Sequence, residues 1–280
     1  MDPVTVPAET VSFTGRTVLA VFAHPDDESL ACGGTLARLS DAGATIVLLC
    51  LTHGERGVTV DPSLVPDGNL GSVRASELAA AARVLGIAEV QMFDHPDGNL
   101  RWAHGPHLHD QLRAAIHRFE PSAIITFDGD GLYWHLDHIG VHEKTSDVVS
   151  ALGDAAPALY YVTMPRGAMR HVFDRGVARG WAPPASGFWG IVPDAFGLLA
   201  EPPTFGLDVR RWVPRKLAAL ACHRTQMGST NPFSLIDDVE AREWLGYEFF
   251  RRAPVGSMEA VLEPLGEPVI ISQPTPARSS

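Results

Sequence analysis

Residues 17–28 have the sequence TVLAVFAHPDDE, a short apolar run followed by a histidine and three acidic residues. Seven nearly all-apolar residues in a row are typical of a parallel strand that is covered on both faces of a sheet. The next residues, 29–42, have the apolar spacing of a helix, and Gly43 is placed to end it. The order strand, loop, helix indicates the start of a βαβ unit.

The same order recurs through the first half of the chain. Further buried strands, each followed by a loop and a helical pattern, are predicted at 45–51, 90–93 and 122–127. The helical patterns cover 72–85, 106–119 and about 136–152. Such repetition predicts a parallel sheet with right-handed crossovers, in which ligands bind beyond the carboxyl ends of the strands. The fold class is therefore α/β, a Rossmann-like three-layer sandwich with a mostly parallel sheet.

The second half of the chain is less regular. A fifth strand is predicted at 158–162 and a helix at 211–224, whereas 181–205 is rich in proline and aromatic residues and is expected to be an irregular cap. We expect a catalytic core at 1–165 and a cap segment plus C-terminal helix at 166–263 that completes the same domain. Residues 264–280, rich in proline and serine, are expected to form a disordered tail.

The composition excludes several classes of protein. The chain has 280 residues, 45% hydrophobic and 20% charged, as in ordinary globular proteins, and a net charge of −11. An acidic chain without a basic run is a poor partner for nucleic acid. No apolar run is long enough for membrane insertion. The three cysteines form no C-x-x-C pair, and Met1–Thr14 lacks the basic and apolar parts of a signal peptide, so we expect a cytoplasmic protein.

The residues directly after the first strand form the first candidate site. His24, Asp26, Asp27 and Glu28 place four ionisable groups within five positions, which is costly without a counter-charge. A divalent cation supplies that charge, and histidine with carboxylate is an acceptable ligand set for zinc. The alternative is an acidic helix start, because carboxylates favour the first turn of any helix.

A second cluster follows the fourth strand. In YWHLDH, residues 133–138, His135 and His138 are three residues apart and would lie close together at a helix start. With the first cluster they would complete a three-ligand zinc site with an open position, which Asp137 could support by orienting a ring. A pair of surface histidines is the alternative. Because both clusters follow strands, the fold predicts that they meet at one edge of the sheet.

These two motifs together resemble the LmbE-like / PIG-L family of zinc-dependent deacetylases. That family includes deacetylases of N-acetylglucosaminyl lipids and the deacetylases and amidases of the mycothiol and bacillithiol pathways. Four further segments resemble the family in the same order along the chain. They are Thr52–Glu55, the G-x-x-R-x-x-E-L pattern from Gly71 to Leu78, His95–Gly98, and Lys216 to Gln226.

The resemblance implies a role for each matching residue. It makes His24, Asp27 and His138 the ligands of one zinc ion per chain, with other divalent transition metals left open. It makes Asp26 the general base, and His135 the group that stabilises the oxyanion or protonates the leaving amine, tuned by Asp137. Tyr133 would polarise the carbonyl, and Arg74, Asp97 and Glu55 would contact sugar hydroxyls.

Two further positions bear on the site, His223 and Leu136. His223 would either reach the substrate site or be a satisfied core histidine. Leu136 stands where the family usually has proline, in H-P-D-H; this loosens the turn but removes no ligand.

The resulting hypothesis is a zinc-dependent amidohydrolase that deacetylates an N-acetyl amino sugar or a sugar-containing small molecule. A mycothiol S-conjugate-type amidase that cleaves a thiol-sugar amide is the alternative within the family. Two other classes are a non-catalytic Rossmann-like module that binds a nucleotide, and a metal-dependent hydrolase of phosphate or ester bonds. The absent G-x-G-x-x-G motif weighs against the former, and the ligands for only one metal weigh against the latter. The expected partner is a small amino-sugar amide, and a homo-oligomer is compatible with the sequence.

Overall fold

Eight strands form one sheet in the computed structural model, which describes residues 11–59, 61–103, 105–228 and 231–268. The strands are β1 Thr17–Phe22, β2 Thr45–Cys50, β3 Glu89–Met92, β4 Ala123–Phe127, β5 Ala158–Thr163, β6 Phe205–Asp208, β7 Tyr247–Gly256 and β8 Glu267–Pro268. Their order across the sheet is β3-β2-β1-β4-β5-β7-β6-β8.

The first five strands are parallel, and the last three are antiparallel to their neighbours. The predicted mostly parallel α/β sheet, including its fifth strand, is confirmed. From β1 the chain runs outward to β2 and β3 and then returns to place β4 on the other side of β1. The loops after β1 and β4 therefore diverge at a topological switch point, where α/β sheets form a ligand crevice.

Two layers of helices cover the sheet. The helices are α1 Asp27–Asp41, α2 Leu70–Leu85, α3 Gly105–Phe119, α4 Gly131–Trp134, α5 Leu136–Leu152, α6 Ala168–Ala178, α7 Val213–Leu220, α8 Arg224–Met227 and α9 Asp238–Trp244. Helix α1 packs against α2 and α7, while α3 packs against α5. Because right-handed crossovers reverse face when the chain reverses direction, these two groups lie on opposite faces of the sheet. None of the helices in the described part of the chain has both the length and the apolar character needed to cross a bilayer.

Helix α1 is interrupted one turn after its start. Cys32 has φ −147° and ψ 28°, outside the helical range. The N–H groups of Gly34 and Thr35 instead donate to the carboxylate of Glu248 on β7, at 2.9 and 2.6 Å, and Lys216 of α7 donates to the same carboxylate at 2.6 Å. A side chain at residue 34 would lie 2.7 Å from Val209, so this approach requires glycine. Strand β7 thus supports the part of α1 that follows the break at Cys32.

The segment 166–263 differs from the prediction of a cap plus one helix. It also supplies β6 and β7 to the sheet, and α6 and α9 beside it. The predicted helix at 211–224 is wrong in its extent, because α7 ends at Leu220 and α8 begins at Arg224. The apolar pattern did not reveal β7, since one of its buried positions is the charged Glu248.

The proline-rich stretch is irregular, as predicted. Between α6 and β6 it contains short 3₁₀ turns, Phe188–Gly190 and Pro193–Ala195, and its aromatic residues Trp181, Trp189 and Phe196 join a second hydrophobic cluster beneath it. Residues 264–268 of the predicted tail are ordered, because they contribute to a 3₁₀ turn, Glu263–Leu265, and to β8, which pairs with β6. Residues 269–280 of that predicted tail lie outside the described residues.

Candidate metal centre and active site

The loops after β1 and β4 bring the two predicted clusters together. Asp27 lies between the two histidines: its Oδ2 is 3.4 Å from Nδ1 of His24, and its Oδ1 is 3.1 Å from Nε2 of His138. All three side chains are at least nine-tenths buried. The residues predicted as zinc ligands therefore form one cluster at the switch point of the sheet.

The donor set of this cluster fits zinc. Imidazole nitrogens and a carboxylate are donors that zinc accepts, and each of the two histidines places a nitrogen within 3.4 Å of one oxygen of Asp27. The Nδ1 of His138 faces the carbonyl oxygen of Gly131 at 3.1 Å and donates to it, so Nε2 is the ring nitrogen that points to Asp27 and could bind a metal. That Nε2 is buried and lies 3.1 Å from Oδ1 of Asp27. A buried imidazole nitrogen and a buried carboxylate that face each other can hold a cation between them.

His24 is held from behind by two more carboxylates. Its Nε2 lies 3.1 Å from Asp97 and 3.2 Å from Asp137, so this nitrogen carries the proton and Nδ1 is free to bind a metal. Burial lowers the pKa of His24, but hydrogen bonds to Asp137, Asp27 and Asp97 outweigh it and raise the pKa well above its usual value. The site thus favours positive charge at this point.

The role expected for Asp137 needs a correction. Its carboxylate accepts the N–H groups of Gly98 and Leu100, at 2.7 and 2.9 Å, in addition to its contact with His24. Only its backbone N–H reaches His135, at 3.3 Å from Nδ1. The carboxylate therefore orients His24 rather than His135, because the first turn of α5 directs it toward the loop after β3.

Asp26 is the most exposed of the three aspartates that line the cavity described below. Its side chain is 21% exposed, against 4% for Asp27, and Arg74 donates to its Oδ2 at 3.2 Å. The backbone has φ 116°, in the left-handed region, and Glu28 accepts its N–H at 3.1 Å. Burial raises the pKa of Asp26 to about 6, against the lowering effect of Arg74. Strained residues of this kind cluster at functional sites.

Arg74, predicted to contact the sugar, is buried beneath this loop. Its guanidinium donates to the carbonyl oxygens of Gly54, at 2.8 Å, and of Pro25, as well as to Asp26. A Cβ at Gly54 would lie 2.1 Å from the guanidinium, so a glycine is required there. These contacts position Asp26, and a sugar contact stays a prediction.

His135 and Tyr133 lie beside the histidines of the cluster. The His135 ring centroid is 4.7 Å from that of His24 and 4.6 Å from that of His138, and one ring nitrogen of each of these three histidines lies within 4.8 Å of the other two. Burial, with the two neighbouring histidines, lowers the pKa of His135 to about 3, so its ring is neutral. The Tyr133 ring meets His138 edge-on at 5.2 Å.

A cavity of about 360 Å³ opens over these groups. Seven of the predicted site residues line this cavity: His24, Asp26, Asp27, Arg74, Asp97, Tyr133 and His135. Sequence reasoning missed other parts of its wall, although Gln226 lay within a quoted motif and Arg56 lies beside Glu55. The further lining residues are Leu30, Arg56, Gly57, Val58, Gly98, Gly187, Phe188, Ile191, Gln226 and Met227.

Two predicted substrate contacts do not line this cavity. Glu55 accepts the backbone N–H of Asp97 at 2.9 Å and faces a separate, open cavity of about 430 Å³. His223 is fully buried and contacts Glu28 at 3.0 Å, so it is a core histidine behind the site. Both residues are close to the cavity along the chain, but spacing alone does not give the direction of a side chain.

Comparison with known proteins finds relatives with a common activity. Residues 19–149 match the model of the PIG-L family, described as GlcNAc-PI de-N-acetylase. A 1D-myo-inositol 2-acetamido-2-deoxy-α-D-glucopyranoside deacetylase from Thermobispora bispora is 32% identical, over 84% of this chain and 87% of that relative.

Solved structures share the fold at lower identity. The N,N′-diacetylchitobiose deacetylase of Pyrococcus horikoshii superposes with a TM-score of 0.56 and 24% identity, over 85% of this chain and 84% of that one. The 4-carboxy-2-hydroxymuconate hydratase of Pseudomonas putida superposes with a TM-score of 0.56 and 18% identity, over 88% and 99%. Since a deacetylase and a hydratase share this fold, chemistry must be argued from the site.

Proposed function

We propose that this chain, which belongs to the PIG-L family of GlcNAc-PI de-N-acetylases, is a zinc-dependent hydrolase that removes the acetyl group from an N-acetyl amino sugar. Its relatives support the activity of a deacetylase that acts on an amino-sugar compound. The metal and the roles of the residues are inferred from the site. Cytoplasmic location and homo-oligomer formation stay predictions.

One observation carries the metal proposal. His138 presents a buried ring nitrogen to the carboxylate of Asp27 at 3.1 Å, and the same carboxylate faces Nδ1 of His24 at 3.4 Å. Two imidazoles and one carboxylate are a known ligand set for catalytic zinc with an open position. Asp97 and Asp137 behind His24 have the arrangement of carboxylates that orient a metal-bound imidazole.

The residues around the cavity then divide the chemistry. Zinc, when bound by His24, Asp27 and His138, supplies a polarising charge and a water of lowered pKa. Asp26 lies next to a ligand and faces the cavity, so it accepts the proton of the attacking water. Tyr133 and the neutral His135 also line the cavity and stabilise the oxyanion by hydrogen bonding. Asp26 afterwards returns its proton to the departing amine, which yields acetate and a free amino sugar.

The test combines metal analysis with amine release from methyl glycosides of N-acetylglucosamine. The purified protein should contain one zinc per chain and lose activity on chelation. The variant Asp26→Asn should keep its zinc while kcat falls by about 10²–10⁴-fold, the usual contribution of a general base.

Asp67→Asn is the matched control, because Asp67 is exposed and outside the cavity. It should leave both zinc content and kcat unchanged. Full activity in zinc-free protein would overturn the metal proposal, and an Asp26→Asn variant as active as the control would overturn the role of the base.

A further inference from the structure

Three buried ionisable side chains behind the metal centre have no part in the chemistry proposed above. Glu28, Glu77 and His223 are 1%, 8% and 0% exposed. None of them lines the cavity over the metal centre. Burying such groups is costly unless each is hydrogen-bonded, so their partners indicate what they hold in place.

Glu28 connects His223 to the backbone of the proposed base. The Nε2–H of His223 donates to Oε1 of Glu28 at 3.0 Å. The other oxygen of Glu28, Oε2, accepts the backbone N–H of Asp26 at 3.1 Å. Ser29 adds a third hydrogen bond, from its hydroxyl to Oε1 at 2.6 Å. The carboxylate that fixes the N–H of Asp26 is therefore itself held by His223.

Helix α2 supplies the other half of the arrangement. Glu77 accepts both the backbone N–H and the hydroxyl of Thr225, at 2.9 and 2.7 Å, and Thr225 lies two residues after His223. About one turn earlier on the same helix, Arg74 donates to Oδ2 of Asp26 at 3.2 Å. These contacts form a closed circuit, which we call the support ring. Its members are Asp26, Glu28, Arg74, Glu77, His223 and Thr225.

The backbone conformation of Asp26 requires such support. Its φ of 116° lies in the left-handed region, which a residue other than glycine keeps only where its surroundings impose it. Its carbonyl oxygen accepts the N–H groups of Ser29 and Leu30, at 3.1 and 3.0 Å. The support ring holds its other polar groups, the N–H through Glu28 and the carboxylate through Arg74. The direction of this carboxylate thus depends on the ring.

We propose that Glu28 and His223 are positioning residues of the hydrolysis, which hold the backbone of Asp26 so that its carboxylate points into the cavity. The proposal rests on the proposed function, in which Asp26 is the general base. Since neither residue lines the cavity, each acts through Asp26 and not by contact with the substrate. His223 thereby makes the C-terminal half of the chain part of a site built on the loop after β1.

The first experiment compares His223→Leu with His223→Gln on the methyl glycoside of N-acetylglucosamine. Leucine removes the donor to Glu28, whereas the amide N–H of glutamine can replace Nε2–H. His223→Leu should lower kcat by about 10–100-fold, the scale for a misplaced catalytic group, while KM stays within about twofold and zinc content is unchanged. His223→Gln should recover most of the lost kcat.

A second variant and a control accompany this pair. His223→Asn keeps an amide but is too short to reach Glu28, so it should resemble the leucine variant and replaces it if leucine prevents folding. His171→Leu is the matched control, because His171 is exposed on α6 and outside the ring, and its kcat should equal that of wild type. Unchanged kcat in the leucine and asparagine variants would overturn the proposal, as would a glutamine variant that is equally impaired.

A double-mutant cycle separates positioning of Asp26 from a general loss of structure. In the Asp26→Asn background, His223→Leu should change the residual kcat by less than about twofold, because the group that the ring positions is already absent. The full 10–100-fold loss in that background, about the same as in wild type, would show that His223 acts elsewhere and would overturn the proposal.

Hydrogen exchange of the Asp26 amide, followed by nuclear magnetic resonance, measures positioning without turnover. The exchange should be about 3–10-fold faster in His223→Leu, as expected when one hydrogen bond is weakened, and unchanged in His171→Leu. Faster exchange in a protein that hydrolyses no glycoside would contradict the deacetylase but support the ring. Hydrolysis by wild type with unchanged exchange in His223→Leu would support the deacetylase and overturn the positioning role.

Discussion

Replacing Glu248 by alanine is expected to destabilise the protein by about 3–5 kcal/mol, the usual cost of leaving a buried ion without its partner. Glu248 and Lys216 are 4% and 5% exposed, and their charged atoms are 2.6 Å apart. The substitution leaves the buried ammonium of Lys216 without its counter-charge and the N–H groups of Gly34 and Thr35 without an acceptor. Each unsatisfied amide adds to the cost, because a buried donor loses about 1–3 kcal/mol without a partner.

The assay is urea denaturation followed by circular dichroism, with the melting temperature as a second measure. At about 2–4 °C per kcal/mol for a chain of this size class, the melting temperature should fall by at least about 6 °C. Glu243→Ala is the control, since Glu243 is exposed on α9, and it should stay within about 0.5 kcal/mol of wild type.

A double-mutant cycle tests the reasoning itself. Lys216→Met alone leaves the carboxylate unpaired and should also destabilise, whereas Lys216→Met with Glu248→Leu should cost less than the sum of the single changes. Additive effects, or a Glu248→Ala variant as stable as Glu243→Ala, would refute the view that this pair is coupled and holds α1.

Three further changes address single residues. Leu136→Pro should raise the melting temperature by about 1–3 °C. Leu136 is the first residue of α5, where proline is favoured, and His135 already has the extended ψ of 120° that a following proline requires. A lower melting temperature would contradict this. Asp137→Asn should weaken zinc binding by about 10–100-fold in a chelator competition, since the carboxylate orients His24; unchanged affinity would remove that role. Tyr160→Phe should lose stability relative to wild type at pH 8. Burial, together with the hydrogen bond to Glu263, raises the pKa of Tyr160 to about 12. Its contribution to stability is therefore complete below about pH 10 and is lost as the pH rises toward 12, so the difference in urea midpoint should shrink over that range; a constant difference would contradict this.

The parallel half of the fold was predictable because its signals are local. Strands β1, β2 and β4 are short apolar runs, and the residues that follow each of them are polar or glycine-rich. The meeting of His24 with His138 followed from the rule that strand ends share one edge of the sheet. That rule needs no knowledge of any individual contact.

The antiparallel half was not predictable in the same way. Strand β7 carries the charged Glu248 at a buried position, and partners distant in sequence satisfy it, namely Lys216 and the N–H groups of Gly34 and Thr35. Other signals were present but not used. Asp237 and Glu240 form a capping box at the start of α9, and α6 buries Met169, Val172 and Phe173 at helical spacing.

Side-chain direction limited the prediction of the site. Glu55 and Arg56 are neighbours, yet the cavity over the metal centre is lined by Arg56 while Glu55 faces another cavity. Asp137 turned to His24 rather than to His135 because backbone N–H groups of the loop after β3 hold its carboxylate. Such choices depend on loop geometry that no motif encodes.

The attachment of α1 to β7 has a consequence for synthesis of the protein. The proposed metal ligands His24 and Asp27 are translated early, but the carboxylate that supports the broken helix behind them emerges only with residue 248. A nascent chain on the ribosome therefore lacks this support for the candidate site until β7, the penultimate strand along the chain, has been made. Polypeptides terminated before Tyr247 are expected to be inactive rather than partly active.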